Sequence, residues 1–188
     1  MTTKSFKIGI IGAGVIADFH AQAIRAMEGA ELVAAFARKD EKAQTFAQKY
    51  ECAGYSDMDA FLNHPEMEVV TICSVSGAHL EHATLAAEAG KHIICEKPLE
   101  VTTDRIDQMI KVCNQNNVFL SGVFPRRFND STFIFKKAIQ DGRLGKIVLC
   151  DTAIKWWRSQ EYYDSGAWRG TWDLDGGGAL MNQSIHTI

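Results

Sequence analysis

A glycine-rich turn near the amino terminus has the residue types and spacing that cradle phosphate groups. The apolar run Phe6–Ile11 leads directly into residues 12–17, which read G-x-G-x-x-A and open an amphipathic stretch. Gly12 permits a tight turn, Gly14 lets a pyrophosphate approach the backbone, and Ala17 lets helix and strand pack closely. The spacing predicts a dinucleotide site; the alternative is a strand–helix turn without a ligand. The expected contacts are Gly12, Gly14, Val15 and Ile16.

The end of the second predicted strand bears on which dinucleotide is bound. An Asp or Glu at this position binds the ribose 2′-hydroxyl of NAD and repels the 2′-phosphate of NADP. Ala37 stands there instead, and Arg38 follows it. The available guanidinium favours NADP. The alternative is that Arg38 is solvated or stacks on adenine, in which case NAD is accepted.

A lysine in the turn Glu96-Lys97-Pro98 is the next candidate for chemistry. The turn closes the fifth predicted strand, and the carboxyl ends of parallel strands line the ligand crevice of an open sheet. Lys97 is therefore placed to meet a substrate oxygen beside a nicotinamide. The peptide bond to Pro98 is a candidate for the cis form. The alternative is a surface lysine beside a turn.

Alternating apolar and amphipathic stretches from Phe6 to Gly122 predict the elements that position these residues. Strands separated by helices are typical of a parallel sheet covered on both faces. The expected fold is α/β, a Rossmann-type doubly wound sheet in the order 3-2-1-4-5-6. The predicted strands are 6–11, 32–36, a weak 51–55, 69–74, 92–95 and 118–123. The predicted helices are 15–27, 41–49, 57–63, 78–88 and 103–116.

The pattern changes near Val123, which predicts two domains. Residues 1–123 are expected to bind NAD(P), and residues 124–188 to begin a substrate or oligomerisation domain. Its predicted elements are a helix over about 130–140, a long strand over 146–157 and a helix from about Gly178. One strand cannot form a stable sheet alone, so this domain is expected to be incomplete in this sequence or to find its other strands elsewhere.

Composition and charge exclude several classes of protein. Of 188 residues, 46% are hydrophobic and 23% charged, and the net charge is −3, which is ordinary for a globular protein. No Lys/Arg-rich run suits nucleic acid, and no apolar run reaches the ~18–20 residues that span a membrane. No His/Asp/Glu cluster has metal-ligand spacing, so no metal is expected. The five cysteines include no C-x-x-C pair, and reduced, buried thiols in a cytoplasmic protein are the expectation.

Four motifs together resemble the glucose-fructose oxidoreductase / inositol dehydrogenase / rhizopine-catabolism (Gfo/Idh/MocA) family. They are the glycine turn with His20, Glu96-Lys97-Pro98, Arg126-Arg127-Phe128 and residues 176–186, which read GGGALMNQSIH. The resemblance covers essentially the whole chain. It implies a second domain with an α+β open-faced sheet that often mediates oligomers, and a chain cut off shortly after the catalytic histidine.

The resemblance also implies the roles of the catalytic side chains. Lys97 is expected to contact the reacting oxygen, His186 to transfer the proton and Glu96 to hold the nicotinamide ribose. The family often has Asp where Asn182 stands, four residues before the histidine and on the same helix face. Asn182 can hold a substrate hydroxyl but supplies no carboxylate, which leaves His186 as the general base.

Further cofactor candidates lie near the expected crevice. The small polar turn after the fourth strand replaces the Thr-Pro that the family often has, but it still allows a cofactor to approach. Trp168-Arg169 is similar to a pair that reaches the cofactor end of the site in some members. For His79 the alternative is a structural or solvated role. These candidates are Ser74, Ser76, His79, Arg126, Trp168 and Arg169.

Residues and resemblance together predict an NAD(P)-dependent oxidoreductase. The expected reaction passes a hydride between the nicotinamide and a secondary alcohol or ketone of a sugar, sugar derivative or cyclic polyol. The expected partners are that small molecule and further copies of the full-length chain. The alternatives are an NAD(P)-binding sensor without turnover, a methyltransferase and an inactive fragment. Four aromatic residues could form a sugar platform or belong to a core or subunit contact: Trp156, Trp157, Tyr162 and Tyr163.

Overall fold

Strands and helices alternate along the first two thirds of residues 5–187, the part of the chain that the computed structural model describes. The strands are β1 (Phe6–Ile11), β2 (Ala30–Phe36), β3 (Ala53–Tyr55), β4 (Val69–Ile72), β5 (His92–Cys95) and β6 (Leu120–Gly122). The α-helices between them are α1 (Val15–Ala26), α2 (Asp40–Tyr50), α3 (Met58–Leu62), α4 (His79–Glu88) and α5 (Thr103–Gln115). Each predicted element is present, with ends that differ by three residues at most.

The six strands form one parallel sheet in the order β3-β2-β1-β4-β5-β6, which confirms the predicted doubly wound topology. The register places the carboxyl ends of the six strands side by side, because Ile11 pairs with Phe36 and Ile72, Phe36 with Tyr55, and Cys95 with Ile72 and Gly122. The loops that leave these ends therefore meet along one edge of the sheet, where an open parallel sheet binds its ligand.

The core has two parts, one on each face of the sheet. Successive strand residues join opposite parts, as Ile10 and Ile11 do, because side chains alternate across a strand. One part is completed by α1 and α2, and Ala17 is fully buried there, as the close-packing role of the third motif position requires. The other is completed by α3, α4 and α5. Helices thus cover both faces and leave the carboxyl edge to the loops.

The second part of the chain is less regular than predicted. Helix α6 (Asp130–Gln140) has its predicted bounds, and two short helices follow, α7 (Gln160–Asp164) and α8 (Trp172–Asp175). The predicted long strand over 146–157 is wrong, because the described structure has no strand there and offers no partner for its backbone groups. Most of its apolar residues are exposed, Val148 to 85%.

Two further expectations from the sequence, the last helix and the buried cysteines, differ from the structure. The helix predicted from Gly178 is a π turn over Ala179–Gln183 and a 3₁₀ turn over Ser184–His186. All five cysteines are free thiols, but only Cys95 and Cys113 are buried, Cys52 and Cys73 are half-buried and Cys150 is exposed, which corrects the expectation that they are buried. The domain boundary at residue 123 stays a prediction. Among the described residues, none of the helices has both the length and the apolar character needed to cross a membrane.

Candidate active site

The glycine turn between β1 and α1 has space for a ligand. Gly12 has a positive φ of 117°, and a Cβ there would lie 2.8 Å from the Cys73 carbonyl oxygen, so internal packing explains this glycine. Gly14 has extended backbone, and a Cβ there would meet none of the described atoms within 4 Å. Packing within the protein does not require glycine at position 14.

The start of α1 is equally open. No side chain caps its first N–H groups, and Val15 is 72% exposed although it is apolar. Free N–H groups at a helix amino terminus attract phosphate. These features fit a dinucleotide whose pyrophosphate rests over Gly14.

Replacing Gly14 by valine is expected to weaken cofactor binding strongly and leave the fold intact. The new side chain takes the space that a pyrophosphate would occupy, and extended backbone suits any residue. We expect calorimetry to show the Kd for NADP(H) and NAD(H) rising about 100-fold, a loss of roughly 2.7 kcal/mol. Thermal unfolding should stay near that of the wild type. By contrast, Gly12→Ala should lower the unfolding temperature. Wild-type binding by Gly14→Val would contradict a phosphate site here.

The structure brings Lys97 and Asn182 together. The Lys97 Nζ donates hydrogen bonds to the backbone oxygen and to Oδ1 of Asn182, both at 2.9 Å. The Asn182 side-chain N–H donates in turn to Oδ1 of Asp175, a carboxylate that is only 1% exposed. The other Asp175 oxygen accepts from the Gly170 backbone N–H at 2.7 Å. Because both ends of the amide are bound, its orientation is fixed with oxygen toward the lysine.

The pKa of Lys97 reflects its burial and the charged groups around it. Burial lowers the pKa of Lys97, and the positive charge of Arg169 adds to this, whereas the carboxylates of Glu96 and Asp175 raise it; the pKa lies below the ordinary value of 10.5. The negative charge that Asn182 lacks is therefore supplied by Asp175. The peptide bond between Lys97 and Pro98 is cis, as expected for a candidate X-Pro bond.

Glu96 is held beside Lys97 by a histidine of α1. The Nε2 of His20 lies 3.0 Å from Oε1 of Glu96, and its Nδ1 lies 2.8 Å from the hydroxyl of Thr71. Burial raises the pKa of Glu96, but hydrogen bonds from His20 and from the Lys97 N–H outweigh it, so the pKa lies below its ordinary value. Glu96 is thus a fixed carboxylate at the carboxyl end of β5.

His186 lies in the same neighbourhood. Its ring packs on the indole of Trp156, with 6.0 Å between the ring centres, and the Arg126 guanidinium lies 5.0 Å from the Trp156 ring. Burial lowers the pKa of His186, the positive charges of Lys97 and Arg126 lower it further, and Glu96 acts against them. A neutral imidazole can accept a proton. Position 186 therefore suits a general base near neutral pH.

The remaining candidates lie in two loops at the carboxyl edge of the sheet, one after β2 and one after β4. Ala37 is buried at the end of β2, and Arg38 is exposed beside it without an ion pair to any described residue. Beyond β4, the Ser74 hydroxyl lies 2.9 Å from Nδ1 of His82, and Ser76 is buried. Arg38 thus offers a cationic side chain that no described carboxylate neutralises.

Trp168 and Arg169 pack against each other and beside Tyr162. The Arg169 guanidinium lies 4.7 Å from the Trp168 ring centre and 4.3 Å from that of Tyr162, whose hydroxyl it also contacts at 2.7 Å. Its charge lowers the pKa of Lys97, as noted above. The pair therefore belongs to the surroundings of Lys97, and its contact with a cofactor stays a prediction.

The structure places His79 differently from the sequence-based expectation of cofactor contact. The ring is 1% exposed; Nδ1 lies 2.9 Å from the Pro98 carbonyl oxygen, and Nε2 lies 3.2 Å from that of Ser74. A ring enclosed in this way has no surface for a ligand. We therefore assign His79 to holding the turn that carries Lys97, which was the structural alternative.

Sequence reasoning missed two residues that support the site. Asp175 was not singled out, although a carboxylate immediately before three glycines, and seven residues before Asn182, is a usable signal. His20 was noted only as part of a motif. Its contact with Glu96 spans 76 positions of the chain. Only the sheet register, which brings β4 and β5 beside α1, makes that contact evident.

Comparison with known proteins shows the family of the chain. Residues 6–123 match the family described as "Oxidoreductase family, NAD-binding Rossmann fold", and residues 134–188 match the GFO/IDH/MocA C-terminal domain. The D-glucoside 3-dehydrogenase of Escherichia coli is 32% identical over 100% of this chain and 53% of its own length. The inositol 2-dehydrogenase of Rhizobium meliloti is 33% identical over 76% of this chain and 43% of its own length.

A solved structure gives the same result for the fold. The WlbA dehydrogenase of Chromobactrium violaceum, in complex with NADH and UDP-GlcNAcA, has a TM-score of 0.93 and 29% identity, covering 99% of this chain and 54% of that one. The chain thus spans about half the length of the curated relatives it matches. It belongs to the GFO/IDH/MocA oxidoreductase family, with an NAD-binding Rossmann fold.

Proposed function

We propose that the protein is an NAD(P)-dependent dehydrogenase or reductase that acts on a secondary alcohol or ketone of a sugar, sugar derivative or cyclic polyol. The observation that carries the proposal is the junction of Lys97 with Asn182, in the turn that leads to His186. It lies at the carboxyl edge of the sheet that also bears the glycine turn. The relatives named above as sugar and inositol dehydrogenases support the reaction class.

The residues divide the work as follows. When bound, the nicotinamide supplies the hydride chemistry, and the protein supplies position and electrostatics. N–H groups at the start of α1 hold the pyrophosphate, and Glu96 orients the ribose. His186 takes the proton of the substrate hydroxyl. Lys97 stabilises the oxygen as negative charge develops on it.

The geometry of Lys97 leaves room for this role. An ammonium group has three N–H donors, and Asn182 accepts two of them, so one stays available for a substrate oxygen. The hydrogen bond between Asn182 and Asp175 fixes the amide that holds the Lys97 nitrogen. A donor fixed before the reaction contributes more than one that must reorganise.

Cofactor absorbance tests the proposal. The purified protein is mixed with NADP⁺ or NAD⁺ and a panel of pyranoses, sugar acids, nucleotide sugars and inositols, and absorbance at the reduced-nicotinamide band is followed. We expect turnover with at least one member and reversal with the matching ketone. Cofactor binding without turnover of any member would contradict the enzyme and favour the sensor.

Arg38 is expected to set the preference for NADP. Its guanidinium is exposed beside Ala37, where no carboxylate repels a 2′-phosphate. Arg38→Gln should weaken NADP binding about tenfold, or roughly 1.4 kcal/mol, and change NAD binding much less. The exposed Lys42 of α2 provides a charge-matched control, Lys42→Gln. Equal effects on both cofactors would contradict this role and leave NAD as the natural choice.

The pH dependence should report His186. Burial, Lys97 and Arg126 lower its pKa, so the acidic limb of kcat/KM for alcohol oxidation is expected below the ordinary value of 6.5. The sign follows from the role: a base must be unprotonated, so activity is lost as pH falls through its pKa. Arg126→Gln removes one positive charge and should move the limb to higher pH. A wild-type limb above 6.5 would contradict the assignment.

Oligomer formation and a cytoplasmic location stay predictions from the sequence.

A further inference from the structure

Two arginines share one aromatic ring next to the proposed base. The guanidinium carbon of Arg126 lies 5.0 Å from the ring centre of Trp156, and that of Arg158 lies 5.6 Å from it. The same indole packs on His186 and is 40% exposed. Both cations and the imidazole therefore surround one accessible aromatic surface.

Neither cation is neutralised within the described part of the chain. Arg158 donates to neutral oxygens, the side-chain oxygen of Gln183 at 2.8 Å and the carbonyl of Trp157 at 3.0 Å. The Arg126 guanidinium has no hydrogen-bonded or ionic partner among residues 5–187. Arg105, in contrast, contacts the carboxylates of both Glu81 and Glu100.

The two carboxylates around Lys97 are already engaged. Glu96 is bound by His20, and Asp175 by Asn182 and a backbone N–H. Two guanidinium groups on one ring repel each other, and an anion placed between them removes that repulsion. A guanidinium also offers a planar fork that matches a carboxylate or a phosphate.

We propose that Arg126 and Arg158 bind an acidic group of the substrate, so that the protein acts on a sugar derivative bearing a carboxylate or a phosphate. The inference rests on the proposed function, because it places the substrate between this surface and His186. Both the arginines and the base lie against the same indole, so one small molecule can touch all three. Trp156 is partly exposed, and an indole suits the apolar C–H face of a sugar ring.

The phosphates of the cofactor do not account for these charges. The pyrophosphate is assigned to the glycine turn, and a 2′-phosphate to Arg38 at the end of β2. Arg158 belongs to the segment that precedes α7, close to Gln183 and the His186 turn. Arg126 was a candidate for cofactor contact, and its position on Trp156 allows it to face the substrate as well. Arg158 therefore gives the cleaner test.

The experiment compares acidic sugars with neutral ones of the same ring. Calorimetry and tryptophan fluorescence give the Kd of glucuronate, glucose 6-phosphate and glucose for the purified protein with saturating NADPH or NADH. We expect at least one acid to bind about tenfold or more tightly than glucose, as charge-assisted bonds are stronger than neutral ones. The advantage should shrink with added salt. The acid that binds more tightly than glucose shows whether the site prefers a carboxylate or a phosphate.

Variants locate the effect. Arg158→Gln and Arg126→Gln should each remove most of the preference for acids, and Arg158→Gln should change glucose binding less than about twofold. Arg127→Gln, next to Arg126 and away from the Trp156 ring, is the charge-matched control and should keep the preference. Circular dichroism and thermal unfolding show whether each variant is folded.

Three results would overturn the inference: equal affinity for acids and glucose, no binding of either acid, or equal weakening of acids and glucose by Arg158→Gln. Failure of the proposed function is a different result. In that case acids bind with the preference described, but no substrate changes the nicotinamide absorbance. The protein then has the anion site but no dehydrogenase activity.

Discussion

Lys97→Met is expected to lower kcat for the oxidation of the sugar hydroxyl by about 10²–10³-fold, the size typical for loss of one preorganised donor. The ammonium group is half-buried, and Asn182 accepts two of its three protons. Methionine keeps much of the length of the side chain but removes the donor that meets the substrate oxygen. Cofactor affinity should change little, because the pyrophosphate is held at the glycine turn.

Steady-state kinetics and calorimetry on one preparation check this expectation. Lys97→Met leaves two acceptors of Asn182 without a donor, which costs about 1–3 kcal/mol of stability where such groups are buried. Thermal unfolding must therefore accompany the kinetics, and the exposed Lys111 of α5 supplies the matched control, Lys111→Met. A folded Lys97→Met enzyme with wild-type kcat would remove Lys97 from the chemistry.

His186→Gln is expected to lower kcat/KM for alcohol oxidation by about 10²–10⁴-fold, the range for loss of a positioned general base. Glutamine retains polar atoms near Trp156 but cannot take the proton. The acidic limb of the pH profile should disappear together with the rate. Part of the activity should return when imidazole is added to the assay, because a small base can enter the space left by the ring.

The matched control is His92→Gln. His92 begins β5 at the opposite edge of the sheet from Glu96, where its Nδ1 accepts from the Phe119 N–H. That variant should keep both its rate and its acidic limb. If His186→Gln keeps the acidic limb with only a small loss of rate, another group is the base, and His186 is left with a structural role against Trp156.

The sheet could be predicted from sequence because its signals are local. Phe6–Ile11 followed by Gly12 and Gly14 defines a strand, a turn and a helix without reference to the rest of the chain. The parallel arrangement of the strands then follows from the alternation of strands and helices along the chain. The strand predicted over 146–157 failed for the opposite reason. Alternating residues favour a strand, but the hydrogen bonds that stabilise it must come from a partner, and none of the described strands supplies one.

The candidate site divides in the same way. Motifs identified Lys97 and His186 in the sequence. The link between them through Asn182, however, depends on a contact between residues 85 positions apart. Asp175 was not singled out, because its place before three glycines is a signal in the sequence but nothing local shows that its carboxylate is buried. His79 illustrates the converse case. It was a candidate for cofactor contact with a structural role as the alternative, and its burial against the Pro98 carbonyl favours the structural role.

The position of the nicotinamide ring tests the central claim most directly. A crystal structure of the protein with NADPH or NADH bound should show the pyrophosphate over Gly14 and the reactive carbon of the ring facing the space between the Lys97 amine and the His186 imidazole. An ordered nicotinamide on another side of the sheet, with those two side chains facing solvent, would contradict the account.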